Sequence, residues 1–237
     1  MFVSVVIAIY NEKNNIKPLT RRLFSSLKKA GCQFEIIYII DGTDGSYKIS
    51  KSVGRQYTNF KIDHSYTKRG FKNSFVKGYS MVDRRCTHIL TMDADLNHQP
   101  EEIPQMINIM RDEHPDIIIG SRYVSNGTVE KISLSKRIIS KLSNKIMAIF
   151  WDIKAKDKTS GFRMYKRRLF EECLKKTKSQ NFEFLFEILI IASRKKINIK
   201  EMSIHFKART FEKSKFNFMK VSVGYAKILL RSLFQQQ

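Results

Sequence analysis

The stretch Thr91-Met92-Asp93-Ala94-Asp95-Leu96-Asn97-His98 sets two carboxylates two residues apart, directly after an apolar run. In extended chain such residues project to the same side. There they repel each other unless a cation lies between them. Mg²⁺ and Mn²⁺ take oxygen ligands and share them readily with phosphate oxygens. Asn97 would add an amide oxygen or orient a bound water. The spacing therefore predicts a metal site built from Asp93, Asp95 and Asn97. The plainer reading has Asp93 capping a turn and Asp95 capping the next helix. Asp41, which ends a second apolar run, favours the metal.

Phosphate chemistry needs cations as well. Arg122, Arg163, Arg209 and Lys215 are the candidates, because a guanidinium fork matches phosphate oxygens. Lys136, Arg137 and Ser140 either approach a second phosphate or form a solvated helix face. Glu187 sits in an apolar segment, where a buried acid needs a partner; it is either paired within the fold or turned to the site. Lys68 to Asn73 is a basic, glycine-containing loop before a helix, able to meet phosphate; it is not a Walker motif, and an ordinary loop is the plainer reading.

The elements that must position these residues alternate over the first 120 positions. Strands are expected at Val3 to Ile9, Phe34 to Ile40, Lys61 to Tyr66, His88 to Met92 and Asp116 to Ile119. Helices are expected over 12–30, 46–57, 73–83 and 101–112. Apolar runs too continuous for one-sided strands, separated by helices, predict a parallel sheet covered on both faces. Ligands of such sheets bind beyond the carboxyl ends of the strands, where Asp41 and Asp93 fall. The second half is less regular: helices over 134–151, 182–194 and 216–234, and a weak strand from Ile199 to Phe206.

Charge divides the chain. It carries 44 Lys+Arg against 22 Asp+Glu, a formal net charge of +22. Residues 1–119 hold 17 basic and 13 acidic side chains, whereas 120–237 hold 27 and 9. A basic half beside a nearly balanced one points to an anionic partner: nucleic acid, an acidic lipid surface or a phosphorylated substrate. Cys32, Cys86 and Cys173 have no paired spacing, so no disulfide framework or zinc site is expected. No apolar run approaches the roughly 18 residues that span a bilayer, so membrane contact is expected to be peripheral.

Several blocks resemble glycosyltransferase family 2, and within it the polyprenyl-phosphate hexose synthases typified by dolichyl-phosphate mannose synthase. Val5-Val6-Ile7-Ala8-Ile9-Tyr10-Asn11-Glu12 is similar to the opening strand, with Ala8 where Pro is usual. Ile39-Ile40-Asp41-Gly42-Thr43-Asp44 is similar to the second nucleotide-contacting segment, with Ile40 in place of the first of two acids. Asp93-Ala94-Asp95-Leu96-Asn97-His98 resembles the metal motif, with Asn97 for Gln. Gly120-Ser121-Arg122-Tyr123 and Thr159-Ser160-Gly161-Phe162-Arg163 resemble two further blocks. Arg209 to Lys215 resembles the block that closes over the donor diphosphate, with Glu212 for Gly.

The resemblance implies a GT-A, Rossmann-like α/β domain over 1–215; the basic amphipathic helix beyond it, over 216–237, and that over 134–151 would either lie in a membrane interface or pack on the domain. It implies donor contacts from Ala8, Tyr10, Glu12, Ile39, Asp41, Met92, Asp93, Ala94, Arg209 and Lys215, with Asp41 at the base or ribose. Asp93, Asp95, Arg122 and Arg209 would serve catalysis, and His98 would orient rather than act as a base. The cofactor would be Mg²⁺ or Mn²⁺. The donor would be GDP-mannose or UDP-glucose and the acceptor a polyprenyl phosphate, on the cytoplasmic side of an anionic membrane, with a separate anchoring subunit possible.

A second reading stays within the family: transfer to a glycan or glycolipid hydroxyl. That acceptor must lose a proton and needs a base, which would make Glu187 or Asp157 essential. A third reading, nucleic-acid binding, rests on charge alone; no helix-turn-helix, zinc-finger or RNP pattern supports it.

Overall fold

A computed structural model describes residues 1–124, 127–129, 144, 148, 151, 153–195, 197–207, 223–228 and 230–231. Most of the predicted helices over 134–151 and 216–234, together with Lys136, Arg137, Ser140, Arg209 and Lys215, lie outside the described residues.

The strands are β1 (Phe2–Tyr10), β2 (Gln33–Asp41), β3 (Phe60–Ser65), β4 (His88–Thr91), β5 (Ile117–Ser121), β6 (Thr128–Val129), β7 (Arg163–Lys166), β8 (Ile199–Ser203) and β9 (His205–Phe206). The helices are α1 (Lys13–Lys29), α2 (Ser46–Gly54), α3 (Phe71–Ser80), α4 (Ile103–Glu113, entered through a 3₁₀ turn at Pro100–Glu102), α5 (Arg167–Lys176) and α6 (Glu183–Arg194). Seven strands form one sheet in the order β3-β2-β1-β4-β7-β5-β8, and β6 pairs with β9 beside it. Within the large sheet only the pairings of β7, with β4 and with β5, are antiparallel.

The residues explain the elements. β1 and β2 are almost wholly buried, as their unbroken β-branched and aromatic content requires in a sheet covered on both faces. Ile16, Leu19, Leu23 and Leu27 recur at helical spacing on α1 and are fully buried. They close one face of the sheet with Ile7, Ile9, Tyr38 and Ile40. The other face carries α3, α5 and α6 against Val6, Ile37, Ile39 and Ile89. Residues 223–228 are helical and rest on α6: the Tyr225 and Phe186 ring centroids are 5.8 Å apart, and Ile228 is buried in the same cluster. No helix among the described residues is long and apolar enough to cross a membrane.

Three elements went unread in the sequence, the two-residue β6 among them. β7 is four residues long and carries charge at both ends, so no periodicity marks it. Its pairing comes from β4 and β5 on either side. α5 is legible in retrospect, since Leu169, Phe170, Cys173 and Leu174 follow an i, i+1, i+4, i+5 pattern and are its buried residues.

The chain runs outward from β1 through β2 to β3, then returns to β1's other edge as β4. The crevice beyond the carboxyl ends of β1 and β4 is therefore the topological switch point, the place where such sheets bind ligands.

Candidate active site

Tyr10 ends β1 and Asp93 follows β4 by two residues, so both stand at that crevice. The backbone there is held in uncommon conformations. Asn11 (φ 54°) and Leu96 (φ 61°) are two of the three non-glycine residues with positive φ among those described. Such conformations cost free energy and cluster at functional sites.

Leu96 turns the chain so that Asp95 and Asn97 point inward. Asp95 is 6% exposed, and one carboxylate oxygen accepts the Asn97 N–H at 3.1 Å. The buried Oδ1 of Asn97 has no hydrogen-bond partner. A buried amide oxygen left unpaired costs roughly 1–3 kcal/mol. Asp93 is the exposed member, at 35% of its side chain. The Asp93 backbone N–H points at His98 Nδ1 (3.5 Å).

His98 is 1% exposed and packs against the rings of Phe162 and Phe206. Burial pushes its pKa down to about 4. The ring is therefore neutral at pH 7, and its 3.7 Å approach to the Asp93 carboxylate is not an ion pair. The buried, neutral His98 ring thus stands against the start of the acidic loop.

Gly161 floors the site. A Cβ there would stand 3.1 Å from Asp93 Oδ1, and its carbonyl accepts the Thr91 hydroxyl at 2.8 Å. The loop carrying Gly161 is organised by Asp157, which is fully buried. Asp157 accepts from Arg122 Nε at 2.7 Å, Arg122 NH2 at 2.8 Å and the Arg122 backbone N–H at 3.0 Å. It also takes the N–H groups of Thr159 and Ser160. Burial raises its pKa, but the Arg122 charge and hydrogen bonds outweigh this and leave it lowered.

Arg122, expected at a phosphate, thus commits Nε and NH2 to Asp157 and to the Thr159 hydroxyl. Arg163, expected among the phosphate cations, needs correcting. It is fully buried, and its guanidinium donates to the Leu185 and Lys158 carbonyls at 2.6 and 2.7 Å. Its place on the central antiparallel strand turns it into the core, where it ties β7 to α6.

On the nucleotide side, Ala8 and Tyr10 are the half-buried residues of β1 and lie on one face of it. Ile39, Met92 and Ala94 have their side chains in the core, so only their backbone groups can face a ligand. Glu12 is buried and takes the Asn15 side-chain amide at 2.7 Å. Asp41 is buried and accepts the Arg69 backbone N–H and Nε, each at 2.8 Å. Arg69 also pairs with Asp63, and the Lys68 ammonium lies 4.6 Å from the Tyr10 ring centroid. The loop before α3 therefore covers the tips of β1 and β2. The sequence marked it as a basic loop able to meet phosphate, and the structure fastens Arg69 to Asp41 and Asp63 instead.

Glu187 serves the fold: its Oε2 accepts the Lys178 and Ser179 N–H groups at 2.9 and 2.8 Å. Lys207, two residues before Arg209, donates its backbone N–H to the Asn97 carbonyl at 3.0 Å. The described chain at Lys207 thus lies beside the acidic loop.

Among the described residues no group of three or more His, Cys, Asp or Glu gathers in metal-binding geometry. Two carboxylates and the unpartnered Asn97 oxygen are what this loop offers. That set suits a hard cation whose remaining positions are filled by water and ligand phosphate, and does not suit a closed structural site.

The chain is 30% identical over 221 residues to dolichol-phosphate mannosyltransferase of Saccharomyces cerevisiae, covering 90% of this chain and 80% of that protein. It is 27% identical to polyprenol monophosphomannose synthase of Mycolicibacterium smegmatis, with the same coverage. Over 83% of this chain and 54% of the relative, it is 31% identical to dolichol-phosphate mannosyltransferase of Pyrococcus furiosus. In fold it resembles mannosyl-3-phosphoglycerate synthase from Rubrobacter xylanophilus, at TM-score 0.73 and 13% identity over all of this chain and 75% of that one. It also resembles a mannosyltransferase from Pyrobaculum calidifontis in complex with GDP-Man and Mn²⁺, at TM-score 0.63 and 11% identity over 99% and 65% of the two chains. The profile of glycosyl transferase family 2 matches residues 4–174, and the chain belongs to that family as a glycosyltransferase of GT-A-like fold.

Proposed function

We propose that this enzyme transfers a hexose, mannose before glucose, from a nucleotide-diphosphate sugar to a polyprenyl phosphate, with inversion at the anomeric carbon. The relatives named for dolichol-phosphate and polyprenol mannose transfer support a polyprenyl-phosphate acceptor and favour mannose over glucose, hence GDP-mannose before UDP-glucose as the donor to try. Ala8, Tyr10, Glu12, Asp41 and the backbone of Ile39, Met92 and Ala94 hold the nucleotide. Asp93, Asp95 and Asn97 hold Mg²⁺ or Mn²⁺, which supplies charge neutralisation at the leaving diphosphate. Arg209 and Lys215 share that work.

One observation carries the choice of acceptor. A hydroxyl acceptor requires a base, and the two carboxylates eligible for it serve the structure. Asp157 is sealed under Arg122, and Glu187 caps the loop before α6. A lipid monophosphate, with its second pKa near 6, is already anionic at pH 7 and needs cations to position it. Single displacement by that phosphate inverts the sugar carbon. The basic second half suits an anionic membrane surface, with the protein peripheral on the cytoplasmic side and with room for a separate anchoring subunit.

The test is incubation of the purified chain with labelled GDP-mannose or UDP-glucose, polyprenyl phosphate and Mg²⁺ or Mn²⁺. A mild-acid-labile glycolipid is expected. Asp93→Ala and Asp95→Ala should each lower the rate at least about a hundredfold, since such charge neutralisation is worth several kcal/mol. Folded variants that turn over like the parent would refute the metal site.

A further inference from the structure

Behind the acidic loop, the buried side chain of Gln99 lies across the turn made at Leu96. Its Nε2 donates to two successive backbone carbonyls, those of Leu96 and Asn97, each at 3.1 Å. Its Oε1 accepts Arg22 NH2 at 2.7 Å. The partners decide which end of the amide is which. A guanidinium only donates and a carbonyl only accepts, so the oxygen must face Arg22 and the nitrogen the turn. Arg22 is held in its turn, with its Nε, at 2.8 Å, and its NH2 both donating to the Glu101 carboxylate.

Two peptide planes flank the Asn97 Cα. The Leu96 carbonyl belongs to the plane before it and the Asn97 carbonyl to the plane after. A donor that ties both carbonyls to one point therefore restrains φ and ψ of Asn97, the two soft dihedrals of its backbone. The first plane also carries the Asn97 N–H, which donates to Asp95 Oδ1 at 3.1 Å. One side-chain amide thus governs the direction of both the unpartnered Asn97 Oδ1 and the Asp95 carboxylate.

The turn needs such a restraint. Leu96 stands at φ 61°, a left-handed conformation disfavoured for any residue with a Cβ and kept only where the surroundings impose it. Here the restraint reaches back to α1, which carries Arg22 and is buried on the sheet through Ile16, Leu19 and Leu23. The loop is tied to a packed helix as well as to itself. Both polar atoms of Gln99 are committed, so it acts through the loop and not on a ligand.

We propose that Gln99, anchored by Arg22, is a positioning residue for the divalent cation, presetting Asn97 and Asp95 as its ligands. The inference rests on the metal site proposed above and adds the brace that holds that site in shape. Groups behind metal ligands orient them, and their loss weakens the metal without removing any ligand.

The test reads Mn²⁺ binding by electron paramagnetic resonance, with GDP and with UDP in parallel. Gln99→Ala should weaken Mn²⁺ at least about tenfold, the scale on which such groups act. Gln99→Glu keeps the size and the Arg22 contact but turns an oxygen towards the two carbonyls, so it should weaken Mn²⁺ as much. Arg22→Met removes only the anchor, from a partly exposed position, and should weaken it less. In every variant, nucleotide affinity without metal should match the parent's. In turnover, KM for Mn²⁺ should rise while kcat at saturating metal stays close to the parent's. Parent-like Mn²⁺ affinity in Gln99→Glu overturns the inference. So does an equal loss of metal-free nucleotide binding, which would mark a merely structural role. Should Gln99→Ala fail to fold, Gln99→Glu and Arg22→Met decide alone. A parent that binds no Mn²⁺ with either nucleotide, or Asp95→Ala binding it like the parent, would sink the metal site itself and this inference with it, a pattern distinct from the others.

Discussion

Replacing Arg122 with Met separates a structural role from a substrate-binding one. Asp157 has no exposed surface, and the Arg122 side chain supplies two of its donors, at 2.7 and 2.8 Å. Removing one partner of a buried ion pair leaves an uncompensated charge and costs about 3–5 kcal/mol. The N–H groups of Arg122, Thr159 and Ser160 still reach the carboxylate, which places the expected loss near the lower end. For a chain of this size each kcal/mol shifts Tm by roughly 2–4 °C, so Arg122→Met should melt about 6–12 °C below the parent. Adding Asp157→Asn should recover part of that loss, because the orphaned charge is gone. Donor affinity, read by calorimetry below the melting range, should fall less steeply than stability, since Arg122 acts on the acidic loop through Gly161. A variant that melts with the parent but loses donor binding would show that Arg122 grips phosphate directly, and would refute this account.

Gly161→Ala should divide activity from stability in the opposite sense. Its Cβ would sit 3.1 Å from Asp93 Oδ1, so the carboxylate must shift by a few tenths of an ångström. We expect Mn²⁺ affinity to fall by about tenfold, within the range found when groups around a metal site are altered, while Tm stays close to that of the parent; unchanged Mn²⁺ affinity would contradict the packing. His98 gives the pH dependence. Its pKa is lowered by burial from 6.5 to about 4, so between those values the unfolded chain binds a proton that the folded one refuses. Stability therefore rises with pH across that window and is lost as pH falls through it. The contribution is at most roughly 3 kcal/mol. His88, also lowered to about 4, contributes in the same direction. The urea midpoint difference between the parent and His98→Gln isolates the His98 share, and a difference flat from pH 7 to 4.5 would count against the neutral buried ring.

The sequence determined the parallel half of the sheet and the place of its acids. Continuous β-branched runs separated by amphipathic helices have few packed solutions, and Asp41 and Asp93 had to fall at strand ends because the apolar runs stop there. The spacing of Asp93, Asp95 and Asn97 likewise makes the metal site we propose readable from one loop. What each arginine does was not legible, because Arg163 in the core and Arg122 on a buried acid look the same in one dimension as cations facing a ligand. Glu187 was open for the same reason: its partners at Lys178 and Ser179 reach it only once α6 packs back on its own leading loop. β7 depends wholly on the strands at its two edges. The contact between the Phe71 and Phe182 rings joins residues more than a hundred positions apart, and no periodicity records such a meeting. Local pattern fixes what a segment can form, whereas burial and partner choice belong to the assembled fold.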